Sequence, residues 1–397
     1  MLPRLSRRLL LAAGVALSAA SLSPGAEAQE VVEKRVFELP SYTTRNGTEL
    51  KQVRVGWQSM GTLNADRSNA ILVAHFFSGN SHFAGRYTPQ DAAPGYWDMI
   101  IGPGKAIDTN RYYVLSVDSL INLNTGDGRT VTTGPASINP ATGKPYGADF
   151  PVVSIRDFVD VQKAVVESLG ITRLHAVAGA SMGALQALEW AVSHPQMVSR
   201  VMPVIGTGQM DGWTMAWLNL WAAPILVDPN WNGGNYHGGA APMRGLTEAL
   251  KLVTLHARSS GWVEQVASNR PAQGQNPGQA LAQKFQIESL LDTAAAARAR
   301  ISDAAHFVYL VRANQLFLSE YPSPEAAYAR ATARFLILPA ASDVLFPPAA
   351  SQALRDLLVR QGRTVEYAEI PGVGGHVDGI APPILQVADR IKAFIDR

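Results

Sequence analysis

The chain has 397 residues, 47% of them hydrophobic and 17% charged, with 34 Lys and Arg against 32 Asp and Glu. This is globular composition, which excludes a disordered, collagen-like or coiled-coil protein. The net charge of +2 offers no basic surplus for nucleic acid. With no Cys, disulfides, thiolate zinc sites and a cysteine nucleophile are excluded together.

Residues 1–28 read as a secretory signal peptide. Arg4, Arg7 and Arg8 form a positive start, Leu9 to Ala20 is apolar, and Ala26-Glu27-Ala28 is a small-x-small cleavage site. The apolar run is short for a membrane span, so no stable membrane insertion is expected after cleavage. Arg7-Arg8 also fits a twin-arginine export signal. Removing residues 1–28 takes three of the 34 basic and one of the 32 acidic residues, leaving a formal charge of zero. The expected location is the periplasm, where a Cys-free chain cannot misoxidise.

In chain order, Lys51–Trp57 alternates and reads as an edge or early strand. Ile71–Phe76, Tyr112–Val117, Leu174–Ala178, Val201–Ile205 and Phe335–Leu338 are continuous apolar runs, as expected of strands buried on both faces. Thr364–Ile370 alternates again. Ile155–Leu169 carries one apolar face and is followed by Gly170, a helix with its stop. Ala184–Ser193 and Ile384–Ile395 read as two more helices. Strands alternating with helices imply an α/β fold with a mostly parallel sheet. Residues 211–330 break that rhythm with helical stretches and two Gly/Asn/Pro-rich loops. They read as a helical cap on a core formed by 29–210 and 331–397.

Gly179-Ala180-Ser181-Met182-Gly183 is a G-x-S-x-G motif between a predicted strand and a predicted helix, the context in which such a Ser serves as nucleophile. A hydroxyl needs a base, and the base an orienting acid. In the expected chain order these are Asp343 and His376, each in a loop after a predicted strand. Asp378 comes too late in that order to be the acid. His75 reads as support for the oxyanion loop. No histidine pair has metal-binding spacing, and Gly102-Pro103-Gly104-Lys105 is too short for a phosphate loop. No metal or organic cofactor is implied. Trp213, Trp217 and Trp221 form one stripe at i, i+4, i+8. The stripe suits the cap core, a subunit contact or a wall of the substrate pocket.

These residues resemble the homoserine O-acetyltransferase family of α/β-hydrolase-fold proteins over about 50 to 240 and 335 to 380. The matching stretches are Ala180–Trp190, Gly102–Thr109, Thr133–Ser137, Gly143–Gly147, Arg156-Asp157 and Ser342–Pro348. The resemblance implies the α/β-hydrolase fold, with Ser181 as nucleophile, Asp343 as acid and His376 as base. His75–Gly79 matches the loop that supplies one oxyanion donor, so the donors are expected to be the backbone N–H groups of Phe77 and Met182. A homodimer through the cap is a further implication.

The departures from the family pattern bear on substrate. The family's catalytic His is followed by an Asp that holds the amino group of homoserine, whereas Val377 follows His376 here. The family's cap Arg, which grips the carboxylate, aligns with Ala222, and residues 201–243 contain no Arg or Lys. A zwitterion needs both partners, and an exported protein rarely meets acetyl-coenzyme A. The expected function is therefore an exported serine hydrolase, an esterase or deacylase, acting on a small-molecule ester. The rivals are an acyltransferase and a non-catalytic binding protein on the same fold.

Overall fold

The computed structural model describes residues 31–397. The signal-peptide reading of 1–28 lies outside the described residues. Eight strands form the main sheet: β1 (Arg35–Thr43), β2 (Glu49–Met60), β3 (Ala70–Ala74), β4 (Tyr113–Val117), β5 (Ala176–Ala180), β6 (Arg200–Val204), β7 (Arg334–Ile337) and β8 (Val365–Tyr367). Their spatial order is β1-β2-β4-β3-β5-β6-β7-β8. β1 pairs antiparallel with β2, and β2 antiparallel with β4. Every other neighbouring pair is parallel.

The run Lys51–Trp57 belongs to β2, which is not an edge. β1, which sequence reading did not single out, covers it from Arg35↔Trp57 to Thr43↔Glu49. The sheet's middle strands are buried on both faces. Ile71, Val73, Ala176, Ala178, Met202 and Val204 face one core, closed by Ile391, Phe394 and Ile395. Leu72, Leu115, Val177 and Val201 face the other. Continuous apolar runs follow from that two-sided burial.

Ten helices flank or cover the sheet among the described residues. α1 (Ile155–Ser168) and α2 (Met182–Ser193) follow the early strands. α3 (Gly212–Leu226), α4 (Met243–His256), α5 (Ser260–Val266), α6 (Gln286–Ala299), α7 (Ala304–Gln315) and α8 (Pro324–Tyr328) lie between β6 and β7. α9 (Pro348–Arg360) and α10 (Ala388–Asp396) close the chain. α1 starts in a capping box, with the Ser154 amide donating to Asp157 Oδ2 at 2.7 Å. The other Asp157 oxygen accepts from the Tyr42 hydroxyl and the Arg45 amide, which ties α1 to the β1–β2 hairpin. The predicted helix 384–395 divides in two: Pro382–Val387 is a tight 3₁₀ turn, and α10 begins only at Ala388. Pro382 and Pro383 lack the N–H groups of a regular helical turn. α3 is apolar all round, and its outer face exposes Trp213, Met215 and Leu220. No helix among the described residues is long and apolar enough to cross a membrane.

Candidate active site

β5 runs to Ala180, two residues beyond the apolar run that marks it in sequence, because pairing continues through Ala74↔Gly179 and Val204↔Ala180. The chain then reverses at Ser181, with φ 57° and ψ −120°, and enters α2 at Met182. A non-glycine residue there is strained, and such strain gathers at functional sites. The flanking glycines are steric necessities. A Cβ on Gly179 would lie 2.2 Å from the Gly183 carbonyl, and one on Gly183 would lie 2.1 Å from the Ala74 carbonyl. The turn therefore holds Ser181 at the carboxyl edge of the sheet, at the positive end of α2.

Beside this turn runs the loop that follows β3. His75 is completely buried within it. Its Nδ1–H donates to the Phe76 carbonyl at 2.8 Å, while Nε2 accepts from the Ser119 amide at 3.0 Å and the Asn122 side chain at 3.2 Å. Asn122 also donates to the Gly79 carbonyl, Asn124 to the Ser78 carbonyl, and Gln186 of α2 to the His75 carbonyl. The loop is thus fixed from three sides, as expected of a support for oxyanion donors. Among the described residues, the amides of Phe77 and Met182 donate to no protein acceptor. Two free N–H groups beside a helix N-terminus suit a developing negative charge.

Asn122 also links this loop to the helices above. Its carbonyl accepts from His306 Nδ1 on α7 at 2.7 Å, and His306 Nε2 accepts from the Ala136 amide. Burial holds both His75 and His306 below the usual imidazole range, so both are neutral. The sign follows from linkage. Below pH 6.5 the unfolded chain takes up protons that these rings refuse, so stability is present above that pH and lost beneath it. Buried Glu189, pushed up to about 7, opposes this with one proton. His82 and His256, held near 4 by burial, and His175, also lowered, add to the loss. Unfolding free energies from urea titrations at pH 7.5, 6.5 and 5.5 should fall by about 1.4 kcal/mol per pH unit or more, one net proton. A flat profile would contradict neutral, buried rings.

Asp343 sits in the loop after β7 with its side chain fully buried. Oδ1 accepts from the amides of Leu345 and Phe346, and Oδ2 from His376 Nδ1 at 2.7 Å. That hydrogen bond fixes the His376 tautomer and leaves Nε2 bare. Nε2 is buried and has no partner among the described residues. The His376 loop is anchored twice more: the Gly375 amide donates to Ser342 Oγ at 3.0 Å, and Ser259 Oγ donates to the Val373 carbonyl. Asp378 plays a different part. Its Oδ2 accepts from the Gly374 amide at 2.9 Å, and a Cβ on Gly372 or Gly374 would collide with its carboxylate. Asp378 thus shapes the loop, and burial raises its pKa.

A narrow cavity of about 20 Å³, room for about one water, lies over Ser181. Phe77, Met182, Met210, Trp217, Leu218, Trp221, Leu345 and Phe346 give it an apolar wall, with Thr214, His256 and Asn314 as its other polar residues. No Asp, Glu, Lys or Arg lines it. The Phe346 ring meets His376 edge-on at 5.6 Å, linking the cavity to the Asp343–His376 pair. The tryptophan stripe divides. Trp217 and Trp221 line the cavity, whereas Trp213 is 66% exposed and lines an outer groove with Thr207, Pro347 and Leu357. An eight-residue span is about 12 Å of helix, more than this narrow cavity can follow. His256, Met210, Asn314 and Phe346 carry no spacing signal in the sequence and emerge only from the fold. Among the described residues, no three His, Asp or Glu side chains come together as a metal set.

The alpha/beta hydrolase fold family matches residues 123–377. The homoserine O-acetyltransferase of Solidesulfovibrio magneticus is 37% identical over 94% of this chain and 95% of its own length. Among solved structures, esterase E22 superimposes with a TM-score of 0.89 at 47% identity, covering 92% of this chain and 100% of that one. The homoserine O-acetyltransferase of Bacillus anthracis superimposes at 0.88 with 35% identity, over 93% and 98% of the two chains.

Proposed function

Since this chain belongs to the homoserine O-acetyltransferase family of α/β-hydrolase-fold enzymes, we propose that it has moved within that family to acyl transfer onto water, as an exported esterase or deacylase. Ser181 Oγ attacks the ester carbonyl. His376 Nε2 takes the hydroxyl proton, and Asp343 stabilises the imidazolium through Nδ1–H. The amides of Phe77 and Met182 hold the oxyanion. Collapse of the intermediate breaks the ester C–O bond. The leaving alcohol takes its proton from His376, and the acyl group stays on Ser181. Water then repeats the sequence, with His376 as base, and releases the acid.

The observation that carries this reading is the uncharged cavity. An amino-acid acceptor would bring an ammonium and a carboxylate into a site that offers neither charge a partner. Val377 occupies the position of the family's amino-group anchor, and Asp378 is engaged by Gly374. The similarity to esterase E22 points the same way. The second reading, transfer to homoserine, is favoured by the names of the sequence relatives.

The test uses residues 29–397 and p-nitrophenyl acetate, with and without homoserine. Water-driven turnover that homoserine leaves unchanged is expected. Acceleration with formation of O-acetylhomoserine would establish the second reading instead. Failure of a fluorophosphonate to label Ser181 would leave only a binding protein. Export is read from the full chain with its own residues 1–28: recovery in the cytoplasmic fraction, uncleaved, would overturn it.

A further inference from the structure

Three polar atoms on side chains around the Ser181 cavity are sealed from water without a hydrogen-bond partner: His376 Nε2, Trp221 Nε1 and His256 Nδ1. The first is explained by proton transfer. The other two lie on the helical segment opposite and have no such explanation. A buried polar group left unpaired costs about 1–3 kcal/mol, so two on one wall imply a partner that the protein itself does not supply.

Their placement is rigid. His256 ends α4 and stacks on Trp217 with ring centroids 4.1 Å apart. Trp221 meets His256 nearly at right angles at 5.7 Å, and its other neighbour is the Phe77 ring at 5.6 Å. One aromatic chain therefore runs from the oxyanion loop through Trp221 and His256 to Trp217. His256 Nδ1 has no hydrogen-bond partner among the described residues. Burial and the neighbouring His376 hold it neutral, while Asp343 acts weakly the other way. It can therefore donate from one nitrogen and accept at the other. The indole N–H only donates.

We propose that Trp221 and His256 form a hydrogen-bonding cradle that selects uncharged esters carrying a hydroxyl on the chain housed beneath the helical segment. A hydroxyl oxygen accepts from Trp221 Nε1–H and its proton reaches His256, which satisfies both orphans at once. An alkyl chain of the same length leaves both unpaired, and a site built to bind a hydroxyl disfavours the analogue lacking it. A carboxylate or ammonium finds no counter-charge in the cavity. The inference rests on the hydrolase reading for its substrate class.

The test compares isosteric pairs. Propyl acetate against 2-hydroxyethyl acetate places the hydroxyl on the alcohol side, and methyl butyrate against methyl 3-hydroxypropanoate places it on the acyl side. kcat/KM is measured for the unaltered enzyme, His256→Phe, His256→Gln and Trp221→Phe. The ratio within each pair is compared between proteins, which cancels intrinsic reactivity. In one of the two arms, His256→Phe and Trp221→Phe should each lose about tenfold or more of the preference for the hydroxyl ester. The plain ester serves only as the denominator of each ratio, and His256→Gln should recover part of the preference. Equal ratios in all four proteins in both arms would overturn the cradle. If no ester is turned over, the hydrolase reading fails separately. The ratio is then taken from inactivation of Ser181 by propyl and 2-hydroxyethyl p-nitrophenyl methylphosphonates, which requires no turnover.

Discussion

Ser181→Ala should lower kcat/KM toward p-nitrophenyl acetate by about five to six orders of magnitude, the loss expected when a triad nucleophile is deleted. The turn geometry makes the variant informative beyond activity. Alanine keeps a Cβ at φ 57°, so it inherits the same backbone strain and should unfold at the same urea concentration as the parent. Ser181→Gly removes the Cβ. Relief of about 1–3 kcal/mol of strain is set against about 0.5–1 kcal/mol of extra chain entropy. The glycine variant should therefore be inactive and about 1 kcal/mol more stable. Residual activity in Ser181→Ala within tenfold of the parent would remove Ser181 from the mechanism. A glycine variant less stable than the alanine one would mean that the turn is unstrained.

The second large effect separates two neighbouring carboxylates. Asp343→Asn should lose about four orders of magnitude in kcat, because an amide facing Nδ1 favours the wrong imidazole tautomer. Two backbone amides hold Asp343 Oδ1, so the asparagine's own oxygen is kept on their side and its NH₂ turns toward His376. Asp378→Asn should cost less than about tenfold, since its oxygen can still accept from Gly374 and no reacting atom depends on it. Steady-state kinetics on both variants decides between them. The reverse ranking would make Asp378 the orienting acid.

Much of this site was legible before the fold was known. Ser181 announces itself because a strained turn needs small neighbours, and glycines in fixed positions survive translation into sequence. Asp343 and His376 follow from chain order, a topological property of the sheet. The amides of Phe77 and Met182 were reachable only through family resemblance, because a backbone N–H carries no side-chain signature. His256 was not legible at all. It comes from the end of α4, 75 residues after Ser181 in the numbering, and only the packing of α4 on α3 carries it to the cavity. The tryptophan stripe shows the limit of periodicity: spacing placed three rings on one helix face, but burial admits only Trp217 and Trp221 to the cavity wall. Strand ends shifted for a similar reason. Apolar runs mark where side chains are buried, whereas strand limits mark where backbones pair. β1 escaped notice because most of its residues are exposed.

All twelve residues of α2 are buried, and β5 before it is buried throughout. The reactive serine is therefore seated on the part of the molecule whose amides should exchange with solvent last, at the free energy of global unfolding. Ser181 is expected to stay in place while a substrate enters. The helices between β6 and β7 expose apolar side chains such as Trp213, Met215 and Leu220 to water and are expected to open at a lower free energy. A substitution that loosens α3 or α4 is therefore expected to alter the admission of substrate while leaving the Ser181 turn intact.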